Sequence, residues 1–274
     1  MNKETLTQLH NVELDILDEI VRICSIHNLR YYLAGGTLLG AVRHKGFIPW
    51  DDDLDIAMPR PDYDKFCSIA TKELKHGYYL SSVDTEKRYW LPFAKVRKCN
   101  TLLIEATTPW LKDTGIWVDV FPLDLDRLDN MVAIQERFHK HAVYRALTVG
   151  FLRNEFFHPS WILGYIKTGF PSFKSMNRRI YSIITGGATD KSDAYVNYGS
   201  QYGVKKQTMP ISWYDPAVDI EFEGRSYKAP AQYEKFLKRL YGDNYMQLPP
   251  LEKRVTHNPV RLSFDTNGPD EVLE

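Results

Sequence analysis

The hydrophobic positions near the N-terminus repeat with the period of a helix. Apolar residues recur at roughly helical spacing, with acids and amides between them, at Leu6, Leu9, Ile16, Ile20 and Ile23. A stripe of this kind is typical of an amphipathic α-helix with one buried face. We predict that this helix ends near Asn28.

Several short apolar runs after this helix have the composition of β-strands. They are rich in β-branched and aromatic residues and are bounded by glycine, proline or polar clusters. The predicted strands cover residues 31–34, 53–58, 78–83, 91–98, 101–106 and 116–121. Runs of this length and spacing are consistent with a mixed β-sheet.

Helical patterns separate and follow these strands. Gly35 and Gly36 break the first strand, and Thr37 is a plausible N-cap for a short helix that runs through Val42. Longer helical periodicity covers residues 62–74, 127–152 and 231–241, and the last of these helices stops at Gly242. A hairpin is predicted at residues 222–225, and the tail after residue 249 reads as coil.

The stretch from residue 150 to residue 193 is aromatic and basic and has few acids. This composition fits contact with a membrane surface or with a long acceptor molecule. Buried helices with long basic side chains give the same composition. The pattern leaves both interpretations open.

The overall composition narrows the class of protein. The 274 residues contain 35 basic and 35 acidic side chains, a balance that gives no support for a general nucleic-acid or anionic-membrane binder. The three cysteines, Cys24, Cys67 and Cys99, form no CxxC pair, which argues against a disulfide framework and a cysteine zinc site. No apolar run approaches the roughly 20 residues of a membrane span. We therefore expect a cytoplasmic protein without a transmembrane segment.

Candidate chemistry is concentrated in an aspartate cluster. Asp53 and Asp55 alternate with Leu54 and Ile56, so on a strand both carboxylates share one face. At a separation of about 4 Å and an effective dielectric constant near 20, their repulsion is roughly 4 kcal/mol. A cation would relieve it, and oxygen ligands favour Mg²⁺ or Mn²⁺.

Three interpretations of this cluster compete. A solvated acidic turn is the simplest. A calcium loop would use Asp51, Asp53 and Asp55, but Ile56 stands where that loop requires glycine. A catalytic metal site gains support from Gly35-Gly36 upstream, because glycines let phosphate oxygens approach the backbone.

A further acid, Asp119, is the only charge in the apolar run of residues 116–121. In isolation it reads equally well as an aspartate at the wet edge of a core strand. A buried, unpaired carboxylate would cost several kcal/mol or stay protonated. Beside Asp53 and Asp55, a third metal ligand is the better interpretation.

Basic side chains near the cluster could bind phosphate. Arg43 and His44 precede the aspartates, and Lys95 and Arg97 alternate on a predicted strand. Each alone could be an ordinary surface residue, and we favour Lys95 and His44 as the phosphate-binding pair.

Trp50 could stack on a base or simply plug the space beneath the strand.

Five blocks of the sequence together resemble the LicD family, which includes bacterial phosphorylcholine transferases and is related to fukutin and fukutin-related protein. The most specific block runs from Gly-Gly-Thr-Leu-Leu-Gly-Ala-Val-Arg-His to Ile-Pro-Trp-Asp-Asp-Asp-Leu-Asp. The blocks lie at residues 35–44, 48–55, 94–97, 117–124 and 241–250. The resemblance covers nearly the whole chain except the aromatic middle region.

The resemblance implies an α+β, nucleotidyltransferase-like fold, in which helices flank a mixed β-sheet core. On this basis we expect a single domain of residues 1–274 with a helical insertion and a C-terminal extension. Its parts would be an N-terminal helix (1–30), a catalytic core (31–125), a helical aromatic and basic region (126–193) and the C-terminal extension (194–274).

The resemblance also implies transfer of a substituted phosphate, typically phosphocholine from CDP-choline, to a sugar hydroxyl of a teichoic acid, lipopolysaccharide or other surface glycan. Asp53 and Asp55 match the family's acidic pair, Asp51 its preceding acid and Asp119 its later strand carboxylate. Asp53, Asp55 and Asp119 would hold Mg²⁺ or Mn²⁺. The expected substrate-binding residues are Gly35, Gly36, Thr37, Arg43, His44 and Lys95.

The implied partners are a CDP-alcohol donor and a glycan or glycolipid acceptor, with no nucleic acid and with possible peripheral membrane contact. The zinc-binding cysteines of the fukutin-related branch have no counterpart in this chain. Two alternatives remain: a nucleotidyltransferase that uses an NTP donor, and a non-catalytic glycan-binding or scaffold protein. The sequence does not identify the alcohol on the donor or the acceptor glycan.

Overall fold

The computed structural model describes most of the chain outside the aromatic middle region. The described residues are 1–86, 89, 91–105, 115–126, 173–185, 192–200, 202–254, 256, 259–266 and 271–272. The helix predicted over residues 127–152 lies outside them, as does most of the aromatic and basic stretch.

Six α-helices lie within the described residues. They are α1 (Lys3–His27), α2 (Gly35–His44), α3 (Arg60–Glu73), α4 (Phe173–Thr185), α5 (Val204–Gln207) and α6 (Tyr233–Tyr241). The predicted N-terminal helix is confirmed. The side chain of Asn2 caps it by accepting a hydrogen bond from the Thr5 N–H, and Asn28 ends it in the left-handed conformation.

Twelve β-strands lie in the same part of the chain, and most predicted strands are confirmed. They are β1 (Tyr32–Leu33), β2 (Asp55–Pro59), β3 (Tyr78–Ser81), β4 (Ala94–Lys98), β5 (Leu102–Glu105), β6 (Trp117–Leu125), β7 (Ala194–Val196), β8 (Thr208–Pro210), β9 (Val218–Phe222), β10 (Arg225–Ala229), β11 (Pro259–Ser263) and β12 (Glu271–Val272).

A seven-stranded sheet forms the centre of the fold. Its order is β1-β2-β6-β4-β3, and β7 extends it by pairing with both β6 and β8. β2 and β6 are parallel, whereas the other neighbours are antiparallel. Helices α1, α2 and α3 contact this sheet, so the predicted α+β class with a mixed, helix-flanked sheet is confirmed.

The prediction for the glycine pair was wrong in its local structure. α2 begins at Gly35 and its N-cap is Ala34, so the glycines form the first turn of a helix. Thr37 does not cap α2; its hydroxyl instead accepts a hydrogen bond from the Asp55 N–H at 2.8 Å. This contact ties α2 to the start of β2, which begins at Asp55, two residues later than predicted.

The prediction of a coil tail was also wrong. Residues Pro259–Ser263 form β11, which pairs antiparallel with β5, and β12 pairs in turn with β11. The predicted hairpin is confirmed in β9 and β10, where Glu223 and Gly224 both take positive φ angles. None of the described helices is long and apolar enough to cross a membrane.

Candidate active site

Three charged residues stand in a row across the centre of the sheet. Asp55 on β2 is in register with Asp119 on β6, and Asp119 is in register with Lys95 on β4. Residues in register on neighbouring strands project from the same face of a sheet. The strand pairing therefore places two carboxylates and one ammonium group side by side.

The Lys95 ammonium group forms a buried ion pair with Asp119. Lys95 Nζ lies 2.5 Å from Asp119 Oδ1, and each side chain is almost wholly buried. The same ammonium lies 4.1 Å from the centre of the Trp117 ring, a cation–π contact. The structure thus places the predicted phosphate-binding lysine against a carboxylate, where its charge offsets the acidic cluster.

The acidic end of a cavity lies beside this row. The cavity has a volume of about 470 Å³, and its acidic lining consists of Asp51, Asp53, Asp55 and Asp119 together with Glu105. Leu54 and Ile56, which alternate with the aspartates, are buried in the core as predicted. The fold brings together all four carboxylates that the sequence singled out.

The glycine pair gives the acidic side chains room against the N-terminus of α2. A Cβ atom at Gly35 would lie 2.8 Å from Asp55 Oδ2, and one at Gly36 would lie 2.6 Å from Asp51 Oδ2. Real Cβ contacts are not this short. Gly35 also has a φ angle of +51°, which favours glycine. The glycines therefore accommodate the aspartates as well as line the cavity.

The neighbouring carboxylates make the ionised form of Asp55 less stable. Burial raises the pKa of Asp55 well above its usual range, and the charges of Asp53, Asp119 and Asp51 raise it further. The Lys95 charge acts in the opposite direction and lowers the pKa. The acids thus outnumber the two ammonium groups at the cavity, those of Lys95 and Lys253, and this excess favours additional positive charge.

The structure adds an acidic residue that sequence reasoning missed. Glu13 lies on α1 and is fully buried, and neither of its carboxyl oxygens has a hydrogen-bond partner among the described residues. Its pKa is raised well above the usual value, first by burial and then by the charges of Asp53 and the neighbouring aspartates. The sequence does contain a sign that Glu13 is buried, because Glu13 occupies the apolar face of α1 between Leu9 and Leu17, which are both buried.

Four of the six predicted substrate-binding residues are not part of the cavity lining: Thr37 and Lys95, whose contacts are given above, and Arg43 and His44. Arg43 donates hydrogen bonds to the Tyr245 carbonyl at 3.0 Å and to His44 Nε2 at 2.9 Å. Burial lowers the pKa of His44, and the neighbouring Arg43 charge lowers it further. Both side chains are held at the C-terminal end of α2, whereas Gly35 and Gly36 at its N-terminal end line the cavity.

The opposite wall of the cavity comes from the C-terminal half of the chain, which sequence reasoning did not connect with the site. Its polar and aromatic lining includes Asn197, Ser200, Tyr202, Gln207 and Tyr241. The phenols of Tyr202 and Tyr241 share a hydrogen bond, and burial raises the pKa of both. The charges of Asp51 and Asp55 raise these pKa values further, so the tyrosines lie within electrostatic reach of the acidic end.

The chemistry of the acidic lining fits a hard dication. Carboxylate oxygens are the ligands that Mg²⁺ and Mn²⁺ prefer, and the mutual repulsion around Asp55 favours a cation between them. Among the described residues, no three His, Cys, Asp or Glu side chains already converge on one metal position. Asp119 is meanwhile paired with Lys95, so metal binding would require these side chains to adjust.

Comparison with known proteins gives a family match for the core of the chain. The family described as LicD/FKTN/FKRP, nucleotidyltransferase domain, matches residues 28–146. This match includes the glycine pair and all four cavity aspartates, so the predicted resemblance to the LicD family is confirmed.

A similar protein extends the match over nearly the whole chain. The lipopolysaccharide cholinephosphotransferase LicD of Haemophilus influenzae is 29% identical over 269 residues, which cover 94% of this chain and 97% of that protein. The ribitol 5-phosphate transferase FKRP of Homo sapiens is 46% identical over 39 residues, which cover 14% of this chain and 8% of that protein. The likeness to LicD thus includes the C-terminal half, whereas the likeness to FKRP is confined to a fragment.

Proposed function

We propose that this protein is a metal-dependent phosphotransferase that moves a substituted phosphate from a CDP-alcohol to a sugar hydroxyl of a surface glycan. The observation that carries the proposal is the in-register pair of Asp55 and Asp119, which meets Asp53 and the glycine pair in one cavity. A near full-length relative that is named as a lipopolysaccharide cholinephosphotransferase supports phosphocholine as the transferred group.

Asp53, Asp55 and Asp119 would hold Mg²⁺ or Mn²⁺. When bound, the ion supplies positive charge that orients a pyrophosphate and stabilises the charge that develops during transfer. The repulsion among these carboxylates supports this assignment, because a dication would relieve it. The ion would also offset the burial that now raises the pKa of Asp55.

The protein's own groups would position the reactants and move one proton. The acceptor hydroxyl attacks the phosphorus that carries the alcohol, its O–P bond forms, and the bond from that phosphorus to the oxygen of CMP breaks. Asp51, which lines the cavity, would accept the hydroxyl proton. Lys95 would stabilise negative charge on the phosphates if the ion took over its interaction with Asp119.

The decisive experiment identifies the products. The protein is incubated with Mg²⁺, lipopolysaccharide as acceptor, and CDP-choline, CDP-ribitol, CDP-glycerol or an NTP in parallel reactions. Phosphorus NMR should show CMP from one CDP-alcohol. Release of pyrophosphate from an NTP would instead indicate nucleotidyl transfer, and the absence of turnover with all donors would favour a non-catalytic binding protein.

Two variants connect the activity to the site. Asp53→Asn should lose nearly all CMP release and keep its fold, because it removes one ligand charge from the cavity lining. Asp243→Asn is the matched control, since Asp243 is exposed and lies outside the cavity. Near-normal turnover in Asp53→Asn would contradict the proposed site.

A further inference from the structure

Two amide side chains lie where the β7–β8 pairing ends. Val196 is in register with Thr208; Asn197 directly follows Val196, and Gln207, the last residue of α5, directly precedes Thr208. Both amides line the cavity, and each residue is only 7% exposed.

Each amide uses one of its polar groups within the protein and leaves the other unused. Asn197 Oδ1 accepts a hydrogen bond from the Gly199 N–H at 3.0 Å, which leaves the two N–H groups of Nδ2. Gln207 Nε2 donates to Ser200 Oγ at 2.6 Å, which leaves the acceptor Oε1. Within the described part of the chain, neither of these remaining groups has a hydrogen-bond partner.

The hydrogen bond from Gly199 also fixes the orientation of the Asn197 amide. Because Gly199 N–H is a donor, it holds the Asn197 oxygen and leaves the Asn197 amine for another partner. The two side chains then offer one donor and one acceptor to the cavity that they both line. A ligand that carries an acceptor next to a donor would complete both hydrogen bonds.

We propose that Asn197 and Gln207 recognise the cytosine ring of the nucleotide donor. Cytosine carries a ring acceptor, N3, next to an exocyclic amine, N4. The Asn197 amine would donate to N3, and Gln207 Oε1 would accept from the N4 amine. Aromatic side chains of the same cavity, including Tyr202 and Tyr241, give the ring an apolar surround.

The pair also discriminates against uracil. Uracil has a carbonyl where cytosine has the amine, and an N–H where cytosine has the ring acceptor. In the same orientation it would present its acceptor to Gln207 Oε1 and its donor to the Asn197 amine. Both amides would then remain unsatisfied.

The test measures the affinities of the intact protein for CMP and UMP by calorimetry in Mg²⁺ buffer. The wild-type protein should bind CMP at least about tenfold more tightly than UMP. Asn197→Asp replaces the donor with an acceptor and should reduce or reverse this ratio. Gln207→Glu keeps an acceptor and should retain the preference for CMP. The ratio is insensitive to the folded fraction of a variant, because both nucleotides report on the same folded molecules.

Asn244→Asp is the matched control, because Asn244 is exposed and lies outside the cavity lining. It should keep the wild-type ratio. Equal affinities in the wild-type protein, no binding of either nucleotide, or an unchanged ratio in Asn197→Asp would overturn the inference.

This inference rests on the proposed function, but the two can fail separately. Release of CMP from CDP-choline together with equal affinities for CMP and UMP would overturn the assignment of the amide pair alone. A preference for CMP without transfer from any CDP-alcohol would overturn the proposed reaction and leave cytosine recognition in place.

Discussion

Asp119 lies in register between Asp55 on one side and Lys95 on the other, and its carboxylate is bound to the lysine ammonium group at 2.5 Å. One carboxylate thus has a like charge and an opposite charge as its neighbours across the sheet. This arrangement makes Lys95 the counter-charge of the acidic cavity in the absence of another cation. Its consequences for stability are measurable without any substrate.

Lys95→Gln should destabilise the protein strongly. The substitution leaves the Asp119 carboxylate without its ionic partner, and breaking a buried ion pair typically costs about 3–5 kcal/mol. Mg²⁺ should restore more of the free energy of unfolding in this variant than in the wild-type protein, because the ion would replace the lost positive charge. Urea unfolding with and without Mg²⁺ measures both effects.

Lys98→Gln is the control on the same strand. Lys98 is partly exposed; its ammonium group lies 4.0 Å from Asp15 and donates a hydrogen bond to the Tyr78 hydroxyl at 2.9 Å. Its loss should change stability by less than about 1 kcal/mol. Equal responses of the two variants to Mg²⁺ would contradict a metal site next to Asp119.

Gly36→Ala should reduce activity more than stability. The added methyl group would lie 2.6 Å from Asp51 Oδ2, so the carboxylate must move from its position in the cavity. We expect at least about a tenfold loss of kcat/KM for CMP release, in the range seen when a positioned catalytic group is displaced.

Gly203→Ala is the matched control for this steric effect, since a Cβ atom there would meet no atom within 4 Å. Gly203 precedes α5 with a φ angle of −62°, which alanine also adopts. Similar activities of Gly36→Ala and Gly203→Ala would mean that the position of Asp51 is unimportant.

Glu13→Gln should stabilise the protein increasingly as the pH rises. Burial and the nearby aspartates raise the pKa of Glu13 in the folded state, so folding holds a proton that the unfolded chain releases above about pH 4.3. Wild-type stability therefore falls as pH rises from that value towards the folded pKa, by up to about 1.4 kcal/mol per pH unit from this group. Glutamine has no such proton to release.

Urea unfolding in EDTA at several pH values between about 5 and 8 measures the difference between Glu13→Gln and the wild-type protein. The same substitution at Glu4, which is exposed on the same helix, should not show this pH dependence. If the free energy of unfolding of Glu13→Gln differed from that of the wild-type protein by the same amount at every pH, the buried carboxyl would be charged in the folded protein.

Asp124→Asn should destabilise the fold without involving the acidic cavity. Arg60 donates to both carboxylate oxygens of Asp124, at 2.7 and 2.8 Å, and both side chains are largely buried. Loss of the charge should cost about 3–5 kcal/mol in the free energy of unfolding. Asp64 lies 3.5 Å from the same guanidinium but is exposed, so Asp64→Asn should cost less than about 1 kcal/mol. Chemical denaturation of both variants tests this contrast.

Three of the aspartates at the acidic end were predictable as a group, because Asp51, Asp53 and Asp55 are close in sequence. The alternation of Asp53 and Asp55 with Leu54 and Ile56 predicts which side chains face the core, and burial of the two apolar residues confirms it. Asp119 was predictable as a lone charge in an apolar run. The local structure of the glycine pair was harder to predict. Glycine has a low helix propensity, yet Gly35 begins a helix whose first turn packs against the aspartates.

The role of Lys95 depended on strand pairing. The sequence shows a basic residue on a strand, which fits phosphate binding, but only the register of β4 against β6 places its ammonium group on Asp119. Arg43 and His44 illustrate the reverse case. They are close to the aspartates in sequence, yet α2 directs them away from the cavity lining.

The sequence by itself determined which carboxylates are candidates for the acidic lining, because side-chain alternation and a lone charge in an apolar run are local properties of the chain. Tertiary structure decided that Asp119 joins Asp55, that Glu13 lies within electrostatic reach of the aspartates, that Lys95 neutralises Asp119, and that Asn197 and Gln207 line the same cavity. These residues lie far from Asp51, Asp53 and Asp55 along the chain. Their proximity follows from sheet register and from the packing of α1, which depend on contacts that no local pattern encodes.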